Sequence, residues 1–175
     1  MKNRNVSLTF TALFTALICV TAQISFATPT VPITLQVLGI CLCAYTLSLK
    51  QSLAAVITYL LMGAVGLPVF SNFRGSVQIL LGPTGGFLFG FILLALFCSL
   101  ARNCKPHLSK IALSGIGLLL CHIFGVLQYS IVTGNGIFIS FVSSSLPFIL
   151  KDALLVLISY FMSNLILKRV KNFSL

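Results

Sequence analysis

The chain has 175 residues, of which 58% are hydrophobic and only 7% charged, with a mean hydropathy of +1.13; a soluble domain carries about 25% charged residues. Such a composition excludes a soluble enzyme and predicts an integral membrane protein of roughly six to seven spans at about 20 apolar residues each, leaving no soluble domain. The net charge of +10, eleven Lys/Arg against one acid, does not mark a nucleic-acid binder: the cations sit in short flanks of apolar runs, where the positive-inside rule accounts for them.

Lys2 and Arg4 precede an apolar run over 6–27. With Ser25 and Ala27 it imitates a secretory signal, but it exceeds the 7–15-residue signal core and further apolar segments follow. It is therefore read as a first membrane helix. Ala12 and Ala16 stand four apart on one face of it, and Thr9, Thr11 and Thr15 add further small side chains. Such a stripe admits close approach of another helix, either within this chain or from a partner, and the sequence leaves both open. In TPTVPITLQ (28–36) two prolines break helical continuity, and Thr34 and Gln36 bring hydrogen-bonding groups to the membrane edge. A second helix is predicted over 37–49 and a third over 53–65. Both are short for a bilayer, so both should border a cavity.

The stretch 66–90 (GLPVFSNFRGSVQILLGPTGGFLFG) gathers glycines, two prolines, Asn72, Arg74, Gln78 and Thr84. Irregular backbone survives in a membrane only where protein covers it or a cavity needs it, so this stretch reads as one wall of a small-molecule site. Within it, Gly82-Pro83-Thr84-Gly85-Gly86 opens a fourth helix reaching 100. Proline suits the first helical turn, and the glycines permit close approach of backbone to a ligand or a neighbouring helix. It is no P-loop, since the Gly-Lys-Ser/Thr ending is absent. A basic loop over 102–110, a fifth helix over 111–132 carrying His122, Gln128 and Tyr129, and a turn at 133–136 come next. Ser143, Ser144 and Ser145 before Pro147 introduce a sixth helix, which runs to 167 ahead of Lys168, Arg169 and Lys171.

Six helices put both termini on one side, and nine of the cations fall there: Lys2, Arg4, Lys50, Arg102, Lys105, Lys110, Lys168, Arg169 and Lys171. That bias predicts cytoplasmic termini, with 28–34, 70–81 and 133–145 outside. The charges that break the pattern, Arg74, Lys151 and Asp152, all lie toward the outer half. An acid near the bilayer centre costs roughly 2.5–3.5 kcal/mol on insertion scales, so Asp152 is a functional candidate by default. The plainer alternative puts it in the first turns of its helix, where the dipole favours an anion; Arg74 has a similar alternative as a snorkelling anchor. His122 has no histidine or acid four residues away and reads as a satisfied core histidine rather than a ligand. Cys19, Cys41, Cys43, Cys98, Cys104 and Cys121 show no metal-ligand spacing and read as small packing residues. With one acid there is no carboxylate pair and no Ser-His-Asp set, which disfavours enzyme chemistry. No catalytic residue, metal site or cofactor is expected.

With these segments in place the chain resembles the BioY family, the biotin-binding S-components of energy-coupling factor (ECF) transporters. The resemblance covers nearly the whole chain and is carried by VPITLQ (31–36), GLPVF (66–70), GPTGGFLFGF (82–91) and LPF (146–148) with Asp152 downstream. It implies an all-α integral membrane protein of six transmembrane helices, one substrate-binding domain over 1–175, N and C termini cytoplasmic, multi-pass in a bacterial cytoplasmic membrane. It would take biotin from outside, driven by a transmembrane coupling subunit and an ATPase pair that hydrolyses the ATP. Ala12 and Ala16 match the alanine pair by which S-components dock on the coupling subunit. Two departures stand out. The family's lysine three residues after the aspartate is here Leu155; Lys151 or Arg74 are the available replacements, although a residue directly before Asp152 points elsewhere on the helix. The family's tyrosine after the Gly-Gly pair is here Phe87. On this reading Asp152 accepts ureido N–H groups, Thr34, Gln36 and Asn72 serve polar edges, and Lys151 or Arg74 pairs the carboxylate. Phe70, Phe73 and Phe87 pack the rings, and Thr84 and Gly85 complete the ligand-binding set. An S-component for another vitamin, or a small channel-forming or structural membrane protein, is the alternative.

Overall fold

The computed structural model describes residues 2–26, 28 and 31–173. Ala27, placed above at the end of the first helix, and Pro29 and Thr30 of the following turn lie outside the described residues. In chain order the elements are α1 (Lys2–Gln23), a hairpin of β1 (Ser25–Phe26) and β2 (Ile33–Thr34), α2 (Gln36–Thr46), α3 (Leu49–Ala64), a single 3₁₀ turn (Ser71–Phe73), α4 (Val77–Leu81), α5 (Gly85–Arg102), α6 (His107–Thr133), α7 (Ile137–Ser144) and α8 (Leu146–Phe173). Four of them, α1, α5, α6 and α8, contain stretches long and apolar enough to cross a membrane. The shorter apolar helices are α2 and α3.

The bundle is organised around α2. Nine of its residues, from Gln36 to Tyr45 apart from Leu38, are buried by neighbouring helices. Helices α1, α3, α5 and α8 pack around it. At 11 residues it rises only about 16 Å, roughly half a hydrocarbon core. The remaining depth at its N-terminal end is closed by the β1–β2 hairpin, paired antiparallel with Ser25 opposite Thr34, and by the loop between α3 and α4.

That loop is held by α1. The Gln23 side-chain amide donates to the Pro68 and Phe70 carbonyls at 3.2 and 3.1 Å, and its oxygen accepts from the Phe73 N–H at 2.9 Å. Phe70 and Arg74 exchange backbone hydrogen bonds across the turn, and Asn72 and Phe73 take positive φ of 60° and 53°.

Helices α5 and α6 form the most extensive pair. Their seam is the small-xxx-small pattern Gly86-x-x-x-Gly90. A Cβ on Gly90 would lie 2.7 Å from Cys121 Cα, and one on Gly86 would lie 2.2 Å from the Phe124 carbonyl oxygen. In lipid, where helices gain nothing by hiding from water, such backbone contact is what holds a pair together.

Two boundaries differ from the sequence reading. The break between α2 and α3 falls at 47–48 rather than near 50, because Ser48 and Gln51 form a capping box at the start of α3, satisfying the free N–H groups there. Residues 137–144, expected as outside loop, form α7, and a further short helix, α4, occupies part of 70–81.

Candidate ligand-binding site

One cavity sits where the N-terminal end of α2, the hairpin and the 70–74 loop meet the starts of α5 and α8 and the middle of α6. It measures about 710 Å³ when the space out through its open mouth is counted. Its walls are largely apolar, with Val37, Phe70, Phe87, Phe91 and Phe148 among them. Phe87 meets the His122 ring edge-on at 5.8 Å between centroids, and Phe70 meets Tyr59 in the same way at 5.5 Å.

The polar chemistry converges on Asp152, which is 7% exposed. His122 Nε2 lies 3.5 Å from its Oδ2, and the other ring nitrogen, Nδ1, is hydrogen-bonded to Ser145 Oγ at 2.8 Å. Lys151 Nζ lies 2.6 Å from Oδ1 and donates to the Thr34 carbonyl at 2.8 Å. The Lys151 ammonium thus pairs Oδ1 by charge, and a carboxylate with about four lone-pair sites keeps capacity to accept a further N–H donor from a ligand. Thr34 Oγ1 donates to Gln36 Oε1 at 3.0 Å, and Gln36 Nε2 donates to the buried Tyr59 hydroxyl, which fixes the amide's orientation.

Of the residues singled out in the sequence, Thr34, Gln36, Phe70, Arg74, Thr84, Phe87, Lys151 and Asp152 line this cavity. Arg74 is exposed, its Nε donating to the Ser71 carbonyl at 3.3 Å. Asn72, Gly85 and Phe73 do not line it. The positive φ of Asn72 and Phe73 turns this pair outward: Asn72 accepts from Ser25 Oγ at 3.2 Å and Phe73 is 72% exposed. Gly85 serves close packing, since a Cβ there would lie 1.8 Å from the Leu80 carbonyl oxygen. Leu155, the position of the first departure, belongs to the core cluster around α2.

The geometry adds to two expectations. Lys151 does reach the carboxylate: its four-carbon stem spans the angular offset between neighbouring positions on the helix. His122 is indeed buried and bonded, but it is also a wall of the cavity in contact with Asp152. Its acid comes from another helix, thirty positions on, so no local spacing reveals it. The cysteines are free; the Cys41 and Cys98 sulfurs stand 3.8 Å apart, beyond bonding distance. No metal-ligating cluster of three or more occurs among the described residues. Ala12 and Ala16 are exposed on α1, while Phe14, Thr15 and Ile18 form its buried side, so the alanine pair does not pack within this chain.

An apolar helical bundle closed around a small cavity with a few convergent polar groups defines a membrane protein that binds a small molecule. The chain belongs to the BioY family, whose model matches residues 1–172. It is 50% identical over 115 residues to the biotin transporter BioY of Thermotoga maritima, covering 65% of this chain and 68% of that one. It is 36% identical over 152 residues to the probable biotin transporter BioY of Pyrococcus horikoshii, covering 87% and 89%. Its fold is similar to the crystal structure of the S-component for biotin from an ECF-type ABC transporter, with a TM-score of 0.85 over 96% of this chain and 94% of that one, at 23% identity.

Proposed function

We propose that this chain binds biotin and takes it up across the membrane as the S-component of an ECF-type transporter, performing no covalent chemistry. The observation that carries the reading is the buried Asp152 carboxylate, held between Lys151 and His122, in a largely apolar cavity to which Phe70, Phe87, Phe91 and Phe148 contribute. Biotin is complementary to that arrangement. Its ureido group offers two N–H donors, its fused rings and tail are apolar, and its carboxylate suits Lys151 or the exposed Arg74 near the mouth. Thr34, Gln36 and Thr84 serve the polar edges, and Phe70 and Phe87 pack the rings. Relatives named as biotin transporters, together with the S-component fold, support the same ligand.

The whole chain acts as one substrate-binding domain with no cofactor of its own. It passes the bacterial cytoplasmic membrane six times, α2 and α3 completing the set, with both termini cytoplasmic and the cavity opening outward. A transmembrane coupling subunit docks on the Ala12–Ala16 face of α1, and an ATPase pair supplies the energy. Titration of the purified protein with biotin, thiamine and riboflavin by calorimetry tests the ligand. Biotin is expected to bind well below micromolar. A dissociation constant no tighter than about micromolar, roughly −8 kcal/mol, or equal affinity for the three vitamins, overturns the assignment.

A further inference from the structure

A second crevice opens near the far end of α8. Sixteen positions beyond Asp152, about 24 Å of helical rise, Lys168 faces Lys110 from the first turn of α6 and Arg102 from the end of α5, around a space of about 850 Å³. A second space of about 790 Å³ shares Lys110, Tyr160, Asn164 and Lys168 with it and adds His107, so the two form one crevice. Its floor is built firmly. The Tyr160 hydroxyl is hydrogen-bonded to His107 Nδ1, and its ring meets Tyr45 edge-on at 5.8 Å. Tyr45 is hydrogen-bonded to the buried Ser114 at 2.6 Å, and Lys110 Nζ stands 5.8 Å from the centre of the Tyr160 ring.

Among the described residues nothing balances the charge of this crevice. The single acid of the chain is Asp152, which is paired at the other end of α8. Arg102 spends one N–H on the Leu47 carbonyl at the end of α2. The ammonium groups of Lys110 and Lys168 and the Asn164 amide make no hydrogen bond to the described residues. Three cations brought together repel unless an anion joins them, and free N–H donors above an aromatic floor suit the clustered oxygens of a phosphate. Beside them Phe161 and Leu165, one turn apart on α8 and 63% and 64% exposed, line the flank. Inorganic phosphate gains nothing from such apolar neighbours, whereas an acyl chain lies naturally along them.

We infer that this crevice binds the phosphate headgroup of an anionic phospholipid, with an acyl chain running along Phe161 and Leu165. The site is separate from the biotin cavity and does not depend on what that cavity holds. Native mass spectrometry of the full chain in detergent, titrated with phosphatidylglycerol or phosphatidylcholine, tests it. One phosphatidylglycerol should be retained at concentrations where phosphatidylcholine is not. Lys110→Gln with Lys168→Gln should weaken retention about thirtyfold, the loss of two lysine–phosphate contacts. Lys105→Gln with Arg169→Gln removes the same charge outside the crevice and should change it less than about twofold. Asn164→Leu, which removes no charge, should weaken it also, and each variant is compared as a monodisperse species with an unchanged unfolding midpoint. Equal retention of the two lipids, equal loss in the two charge variants, or displacement of the lipid by millimolar inorganic phosphate would each overturn the inference.

Discussion

Replacing Asp152 with asparagine separates a ligand-binding carboxylate from a helix-start anion. Asparagine keeps the shape and one oxygen, but it removes the charge that Lys151 Nζ faces at 2.6 Å and turns an acceptor near His122 into an amide. Lys151 keeps its bond to the Thr34 carbonyl, so the wall should stay in place. A hydrogen bond to a charged group is worth about 1.5–3 kcal/mol, so biotin affinity should fall by roughly one to two decades. Calorimetric titration of Asp152→Asn against the parent protein reads this directly, with the unfolding midpoint measured alongside. If Asp152 served only the dipole at the start of α8, the midpoint would drop and the affinity would not. Unchanged biotin affinity in a folded Asp152→Asn variant would refute the role given to this residue.

Gly90→Leu should destroy the α5–α6 seam, because its Cβ would sit 2.7 Å from Cys121 Cα and backbone cannot yield as a flexible side chain can; overpacking of about 1–3 kcal/mol or more should lower the unfolding midpoint, and an unchanged midpoint would contradict the packing. Ala12→Trp with Ala16→Trp, both on the exposed side of α1, should leave biotin binding intact yet abolish ATP-driven uptake in vesicles reconstituted with the coupling subunit and ATPase pair. Uptake at full rate would place the docking face elsewhere. In a cysteine-free background, an impermeant thiol reagent added outside should label Asn72→Cys and spare Lys105→Cys; the reverse pattern would invert the proposed topology.

Much of the bundle was legible because lipid imposes a simple rule on sequence: long apolar runs become helices, and breaks in them mean cover or cavity. The shortness of α2 pointed to the cavity, and the glycine-rich stretch after Pro83 pointed to a close contact; α3, expected to border the cavity as well, lends it no lining residue, its short length being completed instead by the loop that follows it. The α2–α3 boundary was also legible in principle, through Ser48 and Gln51 three residues apart, but the apolar run across it concealed the cap. Other features depend on tertiary contact and leave no local trace. His122 meets Asp152 only because α6 and α8 pack side by side. Gln23 reads as an ordinary helix-end residue until the 68–73 backbone is folded over it. Asn72 looked like a ligand-facing polar group, yet its direction is set by a positive φ that composition does not encode. The reach of Lys151 to its neighbour's carboxylate is a matter of stem length, which a helical-wheel projection ignores.

The central claim is tested most directly by the position of biotin in a structure of the complex. A ureido nitrogen should lie within about 2.7–3.2 Å of a carboxylate oxygen of Asp152, the distance of a formed N–H···O bond, with the fused rings against Phe87. Biotin bound outside this cavity, or inside it with the ureido group turned away from Asp152, would contradict the account.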